Sequence, residues 1–298
     1  MPGSAPTNKR FFPRTLSACA VLFALPLAGA GPDSDDDDPM RWDRAEAQLV
    51  LERYPREYID SVMAAKGVGD NRGMGDSVSL PFTYEKLVFD GGWGFLRAGW
   101  GILIAERDDD SAVYHFIGKV LSNNFVSTFY KVRDYIHTVC DANSLYPLLF
   151  EQHIQEGRYG DHRWNLYDHQ NGMVYYHDKK RELESPAQAG IHNYLSLLYA
   201  LRTRELVPKD TFSIRTFYHR KDFPIKFTVH CRETIEVPAG AFECFKLEPR
   251  LMGEGRGFTK RDKLTVWIAD DEARTPVMVK AKIKLGSLSA RLLHYERK

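Results

Sequence analysis

Cysteine is scarce in this sequence, and charge of neither sign is in excess. The 298 residues include 4 cysteines, and 41 lysines and arginines nearly balance 40 aspartates and glutamates, for a formal net charge of +1. A chain this close to neutral gives no electrostatic reason to expect a nucleic-acid partner. The apolar content of 43% and the charged content of 27% are those of a globular protein, which excludes an intrinsically disordered chain.

The sequence also lacks the local motifs that carry nucleophilic or phosphate chemistry. It has no G-x-S-x-G nucleophile elbow, and no glycine-rich loop follows a strand and opens a helix in the way that a phosphate-binding loop does. We therefore predict that the protein is not an enzyme and that it uses no cofactor.

Residues of metal-ligand type are concentrated in one stretch, which holds Asp161, His162, Asp168, His169, His177 and Asp178. Alternation along a strand would put Asp161 and His162 on opposite faces of a sheet. A two-residue hairpin turn at 171–172 would pair His177 with Leu166, away from the other histidines. We therefore expect polar residues of a surface hairpin here, and no metal site.

The first thirty residues have the pattern of a secretory signal peptide. Three basic residues precede an apolar run at 16–27, and residues 28–30 supply the small side chains of a cleavage site. The run is too short for a membrane-spanning helix, so we expect no span after cleavage. The segment that ends at Cys19 has the form of a lipobox, but most of the apolar run follows it, which favours soluble export over a lipoprotein.

Cleavage at this site would leave three cysteines, namely Cys140, Cys231 and Cys244. An odd number requires at least one thiol that is free or bonded outside the chain. Alternation places Cys231 on the inward face of its strand with Val229. An inward Phe245 would turn Cys244 outward, so a disulfide between Cys231 and Cys244 is not favoured.

The remaining chain divides into three parts by composition. Residues 31–39 form an acidic linker between two prolines. Residues 40–75 predict a helical extension that is broken at Pro55 and ends in a glycine-rich joint. Strand signals follow, so residues 76–298 are predicted to form one β domain.

One segment of the β domain, at about 193–203, is predicted to be a helix. Its apolar residues follow helical spacing and surround the segment almost completely: Tyr194, Leu195, Leu197, Leu198, Tyr199 and Leu201. A helix of this kind is covered on most sides. We expect it to lie against or inside a curved sheet, with Arg202 at its C-terminus, where a cation is favourable.

The rest of the β domain is predicted to be a series of short strands. Periodicity and turn residues place them at about 82–88, 98–106, 113–120, 132–140, 146–156, 160–168, 173–178, 210–217, 225–237, 242–251, 262–269, 275–285 and 287–295, with a helical turn at 123–130. Consecutive strands with short joins pair in antiparallel fashion. The predicted fold is mainly β, a large antiparallel meander that curls into a half-barrel or open barrel around one buried helix.

Four motifs, in this order and spacing, resemble the bacterial exported proteins of domain-of-unknown-function family 3108. They are GFLRAGWG at 94–101, FYKVRD at 129–134, LSLLYALRT at 195–203 and VPAGAFEC at 237–244. The resemblance covers about residues 80–296. The family typically has Asp where this chain has Asn193, and both residue types cap helix N-termini.

The resemblance implies a periplasmic cell-envelope protein of a Gram-negative bacterium, without an assigned reaction. It also implies an architecture similar to the half-barrels with a plugging helix found in lipoprotein carriers. This analogy of fold raises lipid binding as a function and makes a lipid or a lipidated envelope protein the expected partner.

Candidate ligand-binding residues combine aromatic side chains with arginines: Trp100, Phe129, Tyr130, Arg133, Tyr199 and Arg202. The guanidinium of Arg133 or Arg202 could hold an anionic head group at the mouth of an apolar groove between sheet and helix. The alternative is structural. Either arginine would then pair with Asp134 or Glu205 and close the sheet over the helix, and the aromatic residues would belong to the core.

These observations predict a non-enzymatic envelope protein that binds a lipid or another amphipathic molecule between sheet and helix. Burial of an acyl chain would contribute about 0.8 kcal/mol per CH₂ group. The alternative function is an envelope scaffold or assembly factor with a filled core, which would act through protein–protein contacts at an exposed sheet edge.

Overall fold

The computed structural model describes residues 61–298 except positions 62, 70, 95, 219, 252–262 and 284–285. The predicted signal peptide, the acidic linker and the first part of the helical extension lie outside the described residues, so these assignments stay predictions. The described end of the extension contacts the sheet. Asn71 Nδ2 donates to the carbonyl of Tyr167 at 3.2 Å, and Lys66 pairs with Glu184 at 2.6 Å.

In the described part of the chain, one sheet contains fourteen strands, and two helices lie between strands of this sheet in the sequence. The strands are β1 (Tyr84–Trp93), β2 (Leu96–Asp108), β3 (Val113–Ser122), β4 (Arg133–Asp141), β5 (Pro147–Glu156), β6 (Tyr159–Asp168), β7 (Met173–Asp178), β8 (Arg181–Pro186), β9 (Thr211–Tyr218), β10 (Lys221–Val237), β11 (Gly240–Leu251), β12 (Lys263–Ala269), β13 (Pro276–Ile283) and β14 (Gly286–Arg297). The helices are α1 (Asn124–Tyr130) and α2 (Tyr194–Arg202).

The first strand in sequence, β1, lies in the middle of the sheet. Strands β1 to β8 meander to one edge, α2 carries the chain to the opposite edge, and β9 to β14 meander back until β14 pairs with β1. Every strand pair is antiparallel, and the sheet is not closed into a barrel. The predicted open antiparallel barrel around a helix is therefore confirmed. The segment before α2 spans the gap between the edges, where His192 forms a bridge with Thr216 of β9.

Most predicted strands lie where alternation placed them, but β8 was not predicted. Its sequence, RELESP, is charged and exposed, and it forms an edge of the sheet. Charged residues and proline on an edge strand discourage pairing with other chains, and they also remove the apolar pattern that identifies a strand. The turn before β7 was predicted too short. It spans residues 169–172, so His177 pairs with Trp164 and not with Leu166.

Helix α2 starts at a capping box. The Asn193 side chain accepts hydrogen bonds from the backbone N–H groups of Leu195 and Ser196, and the Ser196 hydroxyl accepts from the Asn193 N–H. These bonds satisfy amides that a helix N-terminus leaves without partners. Asn193 Nδ2 also donates to Thr138 Oγ1 at 2.7 Å, which ties the start of the helix to β4. The predicted N-cap role of Asn193 is therefore confirmed.

The helix is apolar on nearly all sides because the two halves of the sheet cover different faces of it. Leu195, Leu198 and Tyr199 pack in a core cluster that consists mainly of residues of β1 to β7, with a few residues of β9 and β14. Leu197 and Leu201 pack in a second cluster with residues of β9 to β13. Burial of each such side chain contributes roughly 1.5–3 kcal/mol, so the helix connects the two half-sheets energetically.

Two local features of the sheet depend on backbone detail. A Cβ at Gly99 would lie 1.9 Å from the carbonyl oxygen of Leu121, so only glycine allows β2 to approach β3 this closely. In β10 the register shifts between Val229 and Cys231, which puts Cys231 on the same face as Cys244. The predicted alternation at Cys231 was therefore wrong, although all three described cysteines are free.

Candidate functional site

Of the six candidate residues, Tyr199 and Arg202 lie together inside the core. The Tyr199 ring stacks on Phe116 with 3.7 Å between ring centroids. The Arg202 guanidinium makes two hydrogen bonds to the Glu85 carboxylate, of 2.6 and 2.7 Å, and its Nε donates to the carbonyl of Ala273 at 3.0 Å. Both charged side chains are completely buried. The ion pair therefore joins α2 to β1, and its partner is Glu85 instead of Asp134 or Glu205.

The other candidates lie elsewhere. Phe129 is 73% exposed at the end of α1. Arg133 Nη1 donates to the backbone carbonyls of Ser122 and Val132, at 3.0 and 2.8 Å. Trp100 lies on the face of β2 that is opposite to the inward residues. The Arg97 guanidinium lies over its ring, 5.3 Å from the centroid. Together with Tyr130, which lies beside β5, the six residues form separate contacts and do not line one common site.

Tyr130 contacts a pair of carboxylic acids, Asp134 at the start of β4 and Glu156 at the end of β5. Its hydroxyl donates to Glu156 at 3.3 Å, and burial together with the Glu156 charge raises the pKa of Tyr130 to about 12. Burial and the neighbouring Glu156 carboxylate raise the pKa of Asp134 to about 7. The backbone N–H of Gln155 still donates to Asp134 Oδ1 at 2.9 Å. Near neutral pH, Asp134 is therefore poised to hold a proton.

The predicted apolar groove between α2 and the sheet is nearly filled. The space beside Leu198, Leu103 and Ile136, which we call the apolar pocket, has a volume of about 30 Å³. This volume accommodates about one water molecule. An acyl chain would need side chains of the helix or the sheet to move apart.

A larger cavity lies at the N-terminal end of α2, between the two edges of the sheet. This polar cavity has a volume of about 360 Å³. Strands β5 to β8 line one side, β9 lines the other side, and Asn193 and Tyr194 of the helix start line a third. The volume is within the range of small-molecule sites, about 300–1,000 Å³.

Two buried amide side chains in the polar cavity lack partners for some of their polar atoms. Gln152 has no exposed surface, and neither its Nε2 nor its Oε1 has a hydrogen-bond partner among the described residues. Asn165 is 6% exposed, and its Nδ2 donates to the Tyr167 hydroxyl at 3.3 Å. Its Oδ1 has no hydrogen-bond partner among the residues that the structure describes. Each such group costs about 1–3 kcal/mol unless something binds it.

Charged side chains of both signs complete the lining. Three arginines and two aspartates take part: Arg163, Arg181, Arg220, Asp161 and Asp178. Arg163 pairs with Asp161 at 3.0 Å, and Asp178 accepts hydrogen bonds from the Tyr176 hydroxyl at 2.7 Å and from the Lys180 N–H at 2.8 Å. These contacts orient the charged groups in advance, and the net formal charge of the lining is only +1.

Sequence reasoning missed this cavity, although the sequence carries a signal for it. In β5, Gln152 lies on the face of Phe150 and Ile154; in β6, Asn165 lies on the face of Tyr167. A polar residue on the apolar face of an alternating strand needs a partner inside the protein or a ligand. Two adjacent strands share the anomaly, and this is the signal that predicts a polar site.

Two other features are absent from the described residues. No group of three or more His, Cys, Asp or Glu side chains among them is arranged to hold a metal ion. No helix in the same ranges is long and apolar enough to cross a membrane.

Comparison with known proteins gives a family match. The family model of DUF3108, described as a protein of unknown function, matches residues 88–293. Among proteins of curated function, none matches the chain. The matched range includes β2 to β13, both helices and the lining of the polar cavity.

Among solved structures, the chain is similar to a β-barrel-like protein of domain of unknown function DUF1849 from Brucella abortus, with 8% identity, a TM-score of 0.52 and coverage of 74% of this chain and 100% of the other. It is also similar to a Bacteroides fragilis protein described as exported with a YmcC-like fold (10% identity, TM-score 0.30, coverage 74% and 99%) and to a Parabacteroides distasonis protein described as a lipoprotein (12%, 0.30, 75% and 100%). At this identity the first likeness shows a shared barrel-like fold alone.

Proposed function

The chain belongs to the DUF3108 family, and we propose that it is a non-enzymatic binding protein of the bacterial periplasm whose ligand occupies the polar cavity. Its ligand is a polar or amphipathic molecule of the cell envelope. The signal-peptide pattern of residues 1–30 supports export. The polar part of the ligand lies between the edges of the sheet and the start of α2.

One observation carries this proposal. The polar cavity, of about 360 Å³, contains the completely buried Gln152 amide without a protein partner among the described residues. Buried polar groups in folded proteins are almost always hydrogen-bonded, and an amide without a partner that lines a cavity can be satisfied by a molecule inside that cavity. A bound ligand would remove the cost of leaving Gln152 and Asn165 without partners.

The position of the cavity supports a binding role for the whole fold. Its walls come from both edges of an open sheet, so its width depends on how far apart those edges lie. Some contacts connect the edges directly in the described part of the chain. Among them, the Ser185 hydroxyl donates to the carbonyl of Arg220 at 3.4 Å, and the Gln188 N–H donates to Asp222 at 3.1 Å. A small separation of the edges would admit a ligand.

The test is native mass spectrometry of the protein secreted into a bacterial periplasm from its full-length precursor and purified without detergent. We expect a bound species of defined mass, which solvent extraction would release for identification. The Gln152→Met variant should carry much less of it, because methionine preserves the shape of glutamine and removes its polar atoms. Gln188→Met, the same change at an exposed position outside the lining, should leave the bound species unchanged.

The scaffold function is the second candidate, and the nearly filled apolar pocket favours it. If the secreted protein has only its own mass, and its mass is unchanged after incubation with an extract of envelope lipids and glycans, the binding proposal is wrong. The scaffold function would then take its place, and capture of protein partners would be the next experiment.

A further inference from the structure

The hydrogen-bonding requirements of the polar cavity restrict the chemistry of its ligand. Gln152 presents one N–H₂ group and one carbonyl oxygen, whichever way its amide is oriented. A ligand that satisfies it must therefore offer an acceptor and a donor close together. In the observed orientation of the Asn165 amide, Nδ2 donates to Tyr167 and Oδ1 has no partner among the described residues. The ligand must therefore offer a second donor, to Oδ1. Hydroxyl groups meet this requirement because each one donates and accepts.

An ionised carboxylate or a phosphodiester does not meet the same requirement. Such anions only accept hydrogen bonds, so they would leave the carbonyl oxygen of Gln152 buried without a donor. The arginines do not outweigh this restriction. Arg163 already pairs with Asp161 at 3.0 Å, and the formal charge of the lining is only +1. An acyl chain fails for the opposite reason, since it would bury these amides against hydrocarbon.

Aromatic rings supply the second half of the recognition surface. Four tyrosines and two phenylalanines line the cavity: Phe150, Tyr159, Tyr176, Tyr194, Phe217 and Tyr218. Tyr159 is 52% exposed, and the Arg220 guanidinium lies 5.9 Å from the centroid of the Tyr176 ring. A ligand that fits has an apolar C–H face for the rings and hydroxyl groups around its edge for the amides, carboxylates and guanidinium groups.

We infer that the polar cavity is a saccharide site, which binds a sugar ring through Gln152 and Asn165 and stacks it against the aromatic lining. This inference rests on the proposed function and names the chemical class of its ligand. A sugar ring has hydroxyl groups at its edge and C–H groups on its faces, which is the combination that the lining requires. The ring belongs either to a free glycan or to the head group of a glycolipid.

The experiment is saturation-transfer-difference NMR on the protein secreted from its full-length precursor. The free-glycan sample contains lactose and di-N-acetylchitobiose, two neutral disaccharides. The lipid-linked sample contains octyl glucoside below its micelle concentration. A third sample contains acetate, an anion that only accepts hydrogen bonds, with isothermal titration calorimetry as the readout. We expect saturation transfer to the ring C–H protons of a disaccharide or of octyl glucoside, and no binding of acetate.

Variants assign the signal to the cavity. Gln152→Met and Asn165→Leu should each weaken sugar binding at least tenfold, which corresponds to about 1.4 kcal/mol. Gln188→Met should bind as the unmodified protein does, because Gln188 is exposed and outside the lining. Circular dichroism would establish that each variant is folded. Transfer to octyl glucoside but not to the disaccharides would identify a glycolipid head group as the source of the ring.

Two results would overturn the inference. One is no saturation transfer to any of the sugars, and the other is equal transfer in Gln152→Met, Asn165→Leu and the unmodified protein. The proposed function can survive either result. If mass spectrometry finds a bound molecule without a sugar, and Gln152→Met reduces it, the cavity is a ligand site of another chemical class. If no bound molecule is found, both proposals fail.

Discussion

The two ends of α2 lie in surroundings of opposite character. Around Leu198, Tyr199 and Arg202, the helix packs against the sheet with a residual space of about 30 Å³. The polar atoms of the buried ion pair there have partners, and only the Tyr199 hydroxyl of these three residues has none among the described residues. Around Asn193 and Tyr194, the sheet edges leave a cavity of about 360 Å³ that contains amide atoms without partners. The first region has the features of a stability element, and the second has the features of a binding site.

The largest expected effect is in the packed region, at the ion pair between Glu85 and Arg202. Glu85→Gln should lower the free energy of unfolding by about 3–5 kcal/mol, because it leaves a completely buried guanidinium without its counter-charge. Urea denaturation would measure it. The control is Glu184→Gln at the exposed pair with Lys66, which should change stability by less than about 1 kcal/mol. Equal effects at the two sites would mean that Arg202 is not buried as described.

The next effect concerns packing beside the apolar pocket. Leu198→Ala should lower the free energy of unfolding by about 3 kcal/mol, because it removes buried contacts and enlarges a pocket that cannot collapse easily. The same denaturation experiment measures it, and a loss below about 1 kcal/mol would contradict a tightly packed interface. Because Leu198 is outside the lining of the polar cavity, sugar binding by the folded variant should be unchanged.

A smaller effect depends on pH. The pKa of Asp134 is about 7 in the folded protein and about 3.9 in an unfolded chain, so the folded state binds more protons between these values. The contribution of Asp134 to stability therefore falls as pH rises from about 4 to 7. Asp134→Asn removes this dependence. Relative to the unmodified protein, the free energy of unfolding of the variant should rise by about 2 kcal/mol between pH 5.5 and pH 8.

Denaturation midpoints of the two proteins at both pH values would measure this difference. The comparison between them cancels the contributions of titrating groups that do not interact with Asp134, such as His192, whose pKa burial lowers to about 3. A difference that does not change with pH would show that Asp134 is not held in its protonated form.

The smallest effect is expected in the polar cavity and has the opposite sign. Gln152→Met should raise the free energy of unfolding of the ligand-free protein by about 0.5–1 kcal/mol, because it replaces an amide without protein partners by an apolar side chain of the same shape. Thermal denaturation would measure it. A loss of stability above about 1 kcal/mol would show that Gln152 has a structural partner, and the contrast between the two ends of the helix would then disappear.

Much of the fold follows from local sequence patterns, and the site does not. The helix at 193–203 and nearly all strands were predicted, because each has the periodicity of its element over enough residues. The charged strand β8 was missed because it lacks that periodicity. A bulge at Cys231 reversed the predicted alternation, and no local sequence signal indicates where this bulge lies. Such features depend on how neighbouring strands fit together.

The candidate residues were chosen by residue type, but the partners that they contact are determined by the tertiary structure. Arg202 was a candidate because guanidinium groups bind anions, but the fold brings Glu85, 117 positions away in sequence, against it. The polar cavity requires Gln152 of one half-sheet and Tyr218 of the other to face each other across the open edge. No local pattern encodes that approach, although the inward polar residue in β5 indicates where a partner is required.

A crystal structure of the secreted protein, grown with and without the sugar that shows the strongest saturation transfer, would test the central claim most directly. The account predicts ordered water on Gln152 and Asn165 in the free protein, a sugar ring in its place in the complex, and no more than one water beside Leu198 in both. Acyl-chain density between Leu198 and the sheet, with the Gln152 amide bonded to protein groups, would contradict it.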